Sequence, residues 1–350
     1  MSVAIEAIRP EARAANAGTR SGVAAPAALA AAFVAAAAVA AAVAPVWLSI
    51  VAVFVFAGPH NWIEARYFLA RLPGRWGRSR GFFSLAIGGS TAMTALYVAM
   101  GPVARAFELG DAGAGALIAT WATLAIAWLV AIVAVLGRQV NSDWTWAVPV
   151  GLLAVAFAWW SPGLWWLGLV YGHPIVALVF LDRELRRRPN MRRAVRWLYA
   201  SLPVVLAGIW IASASGNSPA GLDGLTMRIA DHAGATILPS VPDRLLVATH
   251  AFLETVHYGV WVIAMPFIGF RSAPWRLSGV PLWRRSRISA LAVTMILAGG
   301  GVLVAVLWGA FAIDYGTTRD VYFTIAMLHV LVEAPFLVRL LSPRGALDVS

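Results

Sequence analysis

The sequence contains no cysteine, and all 27 of its basic residues are arginine, so lysine is absent as well. Without thiolates the chain cannot hold an iron–sulfur cluster, a thioether-linked haem, a cysteine zinc site or a disulfide. Without lysine it cannot form the Schiff base that attaches retinal or pyridoxal phosphate to a protein. Any metal site in this protein must therefore do without thiolate ligands.

Charge of either sign is scarce. Only 12% of the residues are charged and 61% are hydrophobic, with a mean hydropathy of +0.77, whereas a soluble domain carries about 25% charged residues. This composition predicts an all-α, polytopic integral membrane bundle that forms a single domain over residues 1–350. A membrane span needs about 20 apolar residues. Ten stretches approach or exceed this length, near 23–44, 46–70, 82–102, 114–137, 144–160, 163–181, 194–213, 244–270, 288–312 and 320–341.

The first of these stretches has two interpretations. It could be a signal peptide that is cleaved at the small residues before Pro45. Its apolar run is longer than the about 7–15 residues usual for a signal peptide. We therefore expect it to be retained as a span.

The arginines predict the topology. With ten spans and the N-terminus in the cytoplasm, both termini are cytoplasmic, residues 1–22 form an N-terminal tail, and 214–243 is the one long external loop. The outer segments then hold few basic residues, namely Arg105, Arg228, Arg244 and Arg319. This asymmetry is typical of the positive-inside rule, and we expect the bacterial inner membrane. The net charge of +11 thus indicates contact with anionic lipids at the cytoplasmic face, not with nucleic acid.

Histidine and glutamate recur at one spacing inside the predicted spans. Three histidines are each followed by a glutamate four residues later, in the segments His60–Glu64, His250–Glu254 and His329–Glu333. With seven glutamates in 350 positions, chance would produce this for only about 2% of histidines. Side chains four residues apart lie about 40° apart on a helix, one turn from each other. Each pair therefore shares one helix face.

The eighth stretch carries a further histidine, His257, on the same face. Glu254 and His257 form an E-x-x-H pair, a spacing found in di-iron carboxylate sites between helices. The stretches that bear these residues and His173 are the second, sixth, eighth and tenth. All four run in the same direction in the predicted topology, and most of the residues concerned fall at a similar depth. We expect a single central site on four helices.

A metal site would explain why so many ionisable groups lie in the membrane. Each costs at least about 2.5–3.5 kcal/mol at the bilayer centre, and five imidazoles with three carboxylates exceed what one ion needs, so we expect two ions. The predicted ligands are His60, Glu64, His173, His250, Glu254, His257, His329 and Glu333. The catalytic groups are predicted to be the carboxylates, Glu64, Glu254 and Glu333. Five neighbours could orient the ligands: Asn61, Tyr67, Tyr171, Thr255 and Tyr258. We assign no role to His232 and Asp231, which lie in the external loop.

Nitrogen and oxygen ligands suit iron, zinc, copper or manganese, and mixed His and Glu ligation on helices favours iron. The H-E-x-x-H pattern of zinc proteases is absent. A site buried in the membrane is reached through lipid, so the substrate is expected to be a lipophilic small molecule such as a lipid, a carotenoid or a quinone. We expect an oxidoreductase that uses dioxygen on a C–H or C=C bond, with an electron donor where the reaction requires one.

The segment "GPHNWIE", Gly58 to Glu64, resembles the Pro-His-Gly-x-x-Asp signature of the Brp/Blh-type membrane carotene dioxygenases. Pro59, His60 and the acid at Glu64 match this signature, whereas Asn61 stands where that family has glycine. Proteins of this family are multi-span and use iron ligated by histidine. The resemblance implies iron-dependent oxidative cleavage of a polyene such as β-carotene.

Two other functions fit the same residues. Two facing histidines could ligate a b-type haem for electron transfer, although the glutamates would then lack a clear purpose. The histidines and glutamates could instead form the proton relay of a proton-coupled transporter, although the sequence shows no clear inverted repeat. A structural hydrogen bond between helices would account for one His–Glu pair more readily than for three.

Overall fold

The computed structural model describes residues 9–73, 77–214, 223–268 and 276–342, and no strand occurs in these ranges. The predicted all-α fold class is therefore confirmed. In chain order the helices are α1 (Arg9–Val43), α2 (Pro45–Arg71), α3 (Arg80–Ala106), α4 (Asp111–Val140), α5 (Ala147–Trp160), α6 (Pro162–Glu184), α7 (Pro189–Ala214), α8 (Gly224–His232), α9 (Asp243–Gly259), α10 (Met265–Ile268), α11 (Arg287–Ile313) and α12 (Tyr315–Leu341). A π-helical turn, Val260–Ala264, joins α9 to α10.

Nine helical segments of the described chain are long and apolar enough to cross a membrane, with α9 and α10 counted together. They correspond to nine of the ten predicted stretches. The exception is the stretch near 144–160, where α5 has only 14 residues, or about 21 Å of helix, against a hydrocarbon core of about 30 Å. The reason is local, because Asn141 ends α4 in the left-handed conformation, with φ of 53°, and turns precede α5.

The connection from α4 to α6 nevertheless runs back along most of α4. Close approaches occur at three levels, where Trp144 lies against Gly137, Val130 against Gly151, and Pro162 near Gly115. Near the end of α5, Trp159 Nε1 donates a 3.0 Å hydrogen bond to Thr123 Oγ1. The segment 144–162 is therefore an antiparallel partner of α4 even though its helix is short.

Two predicted boundaries differ from the structure. The helix α1 begins at Arg9, so residues 9–22 of the predicted N-terminal tail are helical, while 1–8 lie outside the described residues. The predicted external loop 214–243 contains α8, and its residues 215–222 also lie outside the described ranges.

The helix α8 forms because Asp223, the residue just before it, is an effective N-cap. Its side chain accepts a 2.7 Å hydrogen bond from the Thr226 backbone N–H, and this bond holds the pKa of the Asp223 carboxyl below its usual value. Ile229 and Ala230 are buried in a cluster with Leu246 of α9. These apolar contacts fold the predicted loop back onto the bundle.

The helix α9 is the interior helix of the bundle. Every residue from 250 to 258 is buried. The most apolar stretch of the segment Asp243–Ile268 is 61% buried, against 11% for the corresponding stretch of α11. It packs against α1, α2, α6 and α7. The polar side chains among residues 250–258 are therefore enclosed by the surrounding helices.

Backbone hydrogen bonding is interrupted on the four helices that carry the predicted ligands. Proline cannot donate to the helical ladder, and prolines occur next to or near predicted ligands in α2 (Pro59), α6 (Pro174) and α12 (Pro335). In α9 the π-helical turn Val260–Ala264 follows directly after Tyr258 and Gly259. Such interruptions bend helices and frequently accompany functional sites.

The close packing of α3 on α4 can be tested at two neighbouring glycines. A Cβ on Gly89 would lie 1.9 Å from Trp128 Nε1, the atom that donates a 2.9 Å hydrogen bond to the Leu85 carbonyl. We expect Gly89→Ala to lower the thermal stability of the detergent-solubilised protein, since overpacking costs about 1–3 kcal/mol. A Cβ on Gly88 would meet nothing within 4 Å, so Gly88→Ala should preserve stability. Equal melting temperatures for the two variants would contradict this packing.

Candidate functional site

Four histidine rings meet at the centre of the bundle, one each from α2, α6, α9 and α12. The ring centroids are 4.6 Å apart for His173 and His257, 4.9 Å for His173 and His329, 5.2 Å for His60 and His329, and 5.4 Å for His60 and His257. One ring nitrogen from each of His60, His257 and His329 lies within 4.8 Å of the other two. We refer to these four residues as the histidine cluster.

Within the cluster, ring nitrogens are left without partners. His60 Nδ1 lies 3.1 Å from the Phe56 carbonyl oxygen, which can only accept, so Nδ1 carries the proton and Nε2 presents its lone pair. His60 Nε2, both His257 nitrogens and His329 Nδ1 are buried without a hydrogen bond of normal geometry. These atoms are available as ligands to a cation.

The closest contact in the cluster joins two atoms of the same kind. His329 Nε2 and His173 Nε2 are 3.0 Å apart. Two nitrogens bound to one ion at about 2.0–2.1 Å and at right angles to each other would be about 3 Å apart. The spacing fits either a hydrogen bond with one protonated nitrogen or two ligands of a common ion.

Two carboxylates lie one turn beyond the cluster, towards the C-terminal ends of α2 and α12. Glu64 and Glu333 are each 1% exposed. Glu333 Oε2 lies 3.1 Å from His173 Nδ1, without the geometry of a hydrogen bond, while His173 Nε2 faces His329 of the cluster. A carboxylate behind a ligating histidine is the usual way in which proteins position such a ring. Neither oxygen of Glu64 has a hydrogen-bond partner.

The other two predicted ligands lie on the opposite side of the cluster. His250 Nδ1 is 3.8 Å from Glu254 Oε2, and Glu254 Oε1 accepts a 2.7 Å hydrogen bond from the Tyr258 hydroxyl. The His250 ring contacts Tyr171 and His232. The structure therefore gathers six of the eight predicted ligands and places His250 apart, because seven residues of α9 separate it from His257 by about 10.5 Å.

Three of the five predicted neighbours contact this region. Tyr258 holds Glu254, Asn61 donates a 3.1 Å hydrogen bond to a tyrosine hydroxyl of α12, and the Tyr171 hydroxyl donates to backbone carbonyls next to α8 and in α9. The Thr255 hydroxyl bonds only within its own helix. Tyr67 donates to the glutamate that ends α6, away from the cluster.

A cavity of about 390 Å³ leads from the cluster to the end of the bundle where α8 lies. His60, His257 and His329 line its inner part, and Glu254 lies in its wall. Polar residues not predicted for the site line the rest of its length: Arg228, Asp231, His232, Arg319, Asp320 and Tyr322. Through this cavity a small molecule can reach the cluster.

Arg319 and Tyr322 are the most buried of these unpredicted residues, and His232 is half-buried. The sequence places His232 in a loop, and only the cap at Asp223 signals the helix that carries it into the cavity. Burial lowers the pKa of the His232 ring well below its usual value, and the nearby His250 and Arg319 act in the same direction. His232 is therefore neutral at neutral pH.

No protein-family model, no curated protein sequence and no solved structure matches this chain. The carotene dioxygenase resemblance at Gly58–Glu64 thus stays a prediction from one short motif.

The hydrogen bond between Tyr258 and Glu254 can be tested by deleting one hydroxyl. We expect Tyr258→Phe to lower the melting temperature, because a buried carboxylate that loses its donor costs about 1–3 kcal/mol. The matched control is Tyr199→Phe, since the buried Tyr199 hydroxyl has no hydrogen-bond partner. If Tyr199→Phe destabilises the protein as much as Tyr258→Phe, the Glu254 contact is not important for stability.

Proposed function

We propose that the chain crosses the membrane ten times, with both termini and the arginine-rich connections in the cytoplasm. The antiparallel course of residues 144–162 along α4 supports a crossing by the short α5 segment. With that crossing included, α2, α6, α9 and α12 all run from the outer to the inner face. The cavity then opens towards the outer face, and the two buried carboxylates lie on the cytoplasmic side of the histidine cluster.

Single cysteines report this topology without background, because the chain has none of its own. The informative positions are Asp111 at the start of α4, Thr145 between α4 and α5, and Ser161, which makes no side-chain capping bond. An impermeant maleimide should label Asp111→Cys and Ser161→Cys in intact cells, and Thr145→Cys only after lysis. Labelling of Ser161 and Thr145 from the same side would show that α5 does not cross.

We propose further that the histidine cluster binds metal. The observation that carries this proposal is the convergence of buried imidazoles from separate helices with unpartnered nitrogens, backed by carboxylates with unpartnered oxygens. Each buried polar group without a partner costs about 1–3 kcal/mol, and a buried unpaired carboxylate costs more. A cation removes these costs together. His60, His173, His257 and His329 would be ligands, and Glu64 and Glu333 supply enough further oxygens for a second ion.

The reaction that we propose is oxidation of a lipophilic molecule by dioxygen. Bound iron would supply the reactivity towards dioxygen. Cleavage of a C=C bond, as the resemblance implies for a polyene, places one oxygen atom of dioxygen on each carbon and needs no further electrons. Hydroxylation of a C–H bond places one oxygen atom in the product and reduces the other to water with two electrons and two protons from a donor.

The side chains around the cavity would serve this chemistry in separate ways. The apolar part of the wall excludes bulk water from the reacting groups. Glu254 lines the cavity with Oε2 free of hydrogen bonds, and Tyr258 fixes its orientation. Glu254 is thus positioned to hold a proton at the cavity wall, while Glu64 and Glu333 balance positive charge on the far side of the cluster.

Metal content tests the proposal directly. The purified protein, incubated anaerobically with ferrous iron and freed of excess, should retain about two irons per chain and show no Soret band. His257→Ala should lower the iron content about tenfold or more, and the isosteric Glu64→Gln should lower it without changing side-chain volume. His232→Gln is the matched control, because it changes a half-buried histidine outside the cluster. An iron-free wild-type protein, or unchanged iron in both His257→Ala and Glu64→Gln, would contradict metal binding.

The 3.0 Å contact between His173 and His329 also favours a second function, a proton relay. With Glu333 against His173, it forms a short chain of protonatable groups in the bundle interior, as in proton-coupled transporters. This function predicts pH-driven flux in liposomes and no tightly bound metal. The same contact disfavours a b-type haem between these two rings, because ligands on opposite faces of one iron would be about 4 Å apart.

A further inference from the structure

Arg319, on the first turns of α12, is a buried cation that lines the cavity. It is 2% exposed, and its Nε and Nη2 atoms have no hydrogen-bond partner. Its guanidinium carbon lies 4.6 Å from the centre of the Phe323 ring, which supports the charge but accepts no conventional hydrogen bond. Leaving these two buried donors without an acceptor is unfavourable.

The chain itself shows what this edge of arginine binds. Nε and Nη2 lie side by side and donate in parallel, which matches the two oxygens of a carboxylate. Arg192 and Arg196 both use this edge to hold Asp182, with donor–acceptor distances between 2.6 and 3.1 Å. The corresponding edge of Arg319 is unfilled. Glu254 interacts with Arg319 electrostatically, but its hydrogen bond is made with Tyr258.

The cavity continues from Arg319 along an apolar wall. Arg319 precedes His329 by ten residues, which is about 15 Å along α12, and Phe323, Met327 and Val330 line the path between them. The stacked rings of Tyr97 and Trp166, 5.5 Å apart, border a second, mostly apolar pocket of about 250 Å³. The polar edge of Arg319 at one end of the cavity and the apolar wall beyond it together fit an amphiphilic molecule.

We propose that the cavity binds a long-chain carboxylate, with the carboxylate group on the Nε and Nη2 edge of Arg319 and the alkyl chain directed towards the histidine cluster. The head group would then lie near the membrane interface and the chain in the membrane interior, as in the surrounding lipid. This inference rests on the proposed function for the identity of the ligand as substrate. The binding itself needs Arg319 and the cavity but no metal.

The test measures binding of radiolabelled oleate to the purified protein in detergent, with oleyl alcohol as the uncharged competitor of equal chain length. We expect Arg319→Gln to weaken oleate binding about tenfold to a hundredfold. Arg105→Gln is the matched control, because it removes an equal charge from an exposed position outside the cavity. Oleate should raise the melting temperature of the wild-type protein but not of Arg319→Gln.

The melting temperature of Arg319→Gln in the absence of oleate distinguishes a structural role of Arg319 from a role in ligand binding. If the Nε and Nη2 edge serves only the ligand, Arg319→Gln should leave the melting temperature without oleate near that of the wild type, whereas loss of a structural contact would lower it. Equal binding of oleate and oleyl alcohol, or oleate binding insensitive to Arg319→Gln, would overturn the proposal in favour of a neutral lipid. Absence of oleate binding to folded wild-type protein would also overturn it.

Iron content is measured on the same samples, so the two proposals fail separately. Oleate binding that depends on Arg319 in a protein that retains no iron would refute the metal site and support the carboxylate site. Full iron content without oleate binding would support the metal site and refute the carboxylate site.

Discussion

The cost of burying polar groups in an apolar helical bundle is the constraint on which the rest of this structure depends. Residues 250–258 of α9 are buried among the other helices, so His257 and Glu254 meet solvent only through the cavity. Glu64 and Glu333 are equally buried, and several atoms of these side chains have no hydrogen-bond partner. Each such atom costs about as much as a typical single mutation, on the order of 1 kcal/mol or more. A ligand or ion that engages many of them at once, as proposed for the histidine cluster, would offset these costs together.

The backbone of the four central helices is adapted to the same site. Proline in α2, α6 and α12 and the π-helical turn after α9 each interrupt the hydrogen-bond ladder near a histidine or a glutamate of the site. In α12 the carbonyl of Leu331, released by Pro335, lies 3.4 Å from the Ser90 hydroxyl of α3. Where the backbone hydrogen bonds of a helix are interrupted, the helix can bend and redirect its side chains. In the cluster, the centroids of neighbouring histidine rings from four helices lie at most 5.4 Å apart.

Much of this arrangement could be predicted from the sequence, and the remainder depends on contacts distant in the chain. Hydropathy and the His-to-Glu spacing of four residues identified three of the central helices and their ligands, and the position of His173 within a predicted span added the fourth. The common helix face of His250, Glu254 and His257 on α9 did not predict that His250 would lie apart, because residues on one face can lie at different depths. The sequence placed Arg319 among the few basic residues of the outer segments, and nothing local indicated that its side chain would be buried in the cavity. His232 looked like a loop residue, because the packing of α8 on α9 is not visible in local sequence.

X-ray absorption spectroscopy at the iron edge tests the central claim most directly. If the histidine cluster holds iron, the spectrum of the iron-loaded protein should show nitrogen and oxygen ligands near 2.0–2.2 Å, as is usual for imidazole and carboxylate ligands of similar ions, with the outer-shell scattering of several imidazole rings. The scattering from imidazole rings should be weaker in the spectrum of His257→Ala, which has one ring fewer. A spectrum without imidazole scattering, or a protein that retains no stoichiometric iron, would contradict the account.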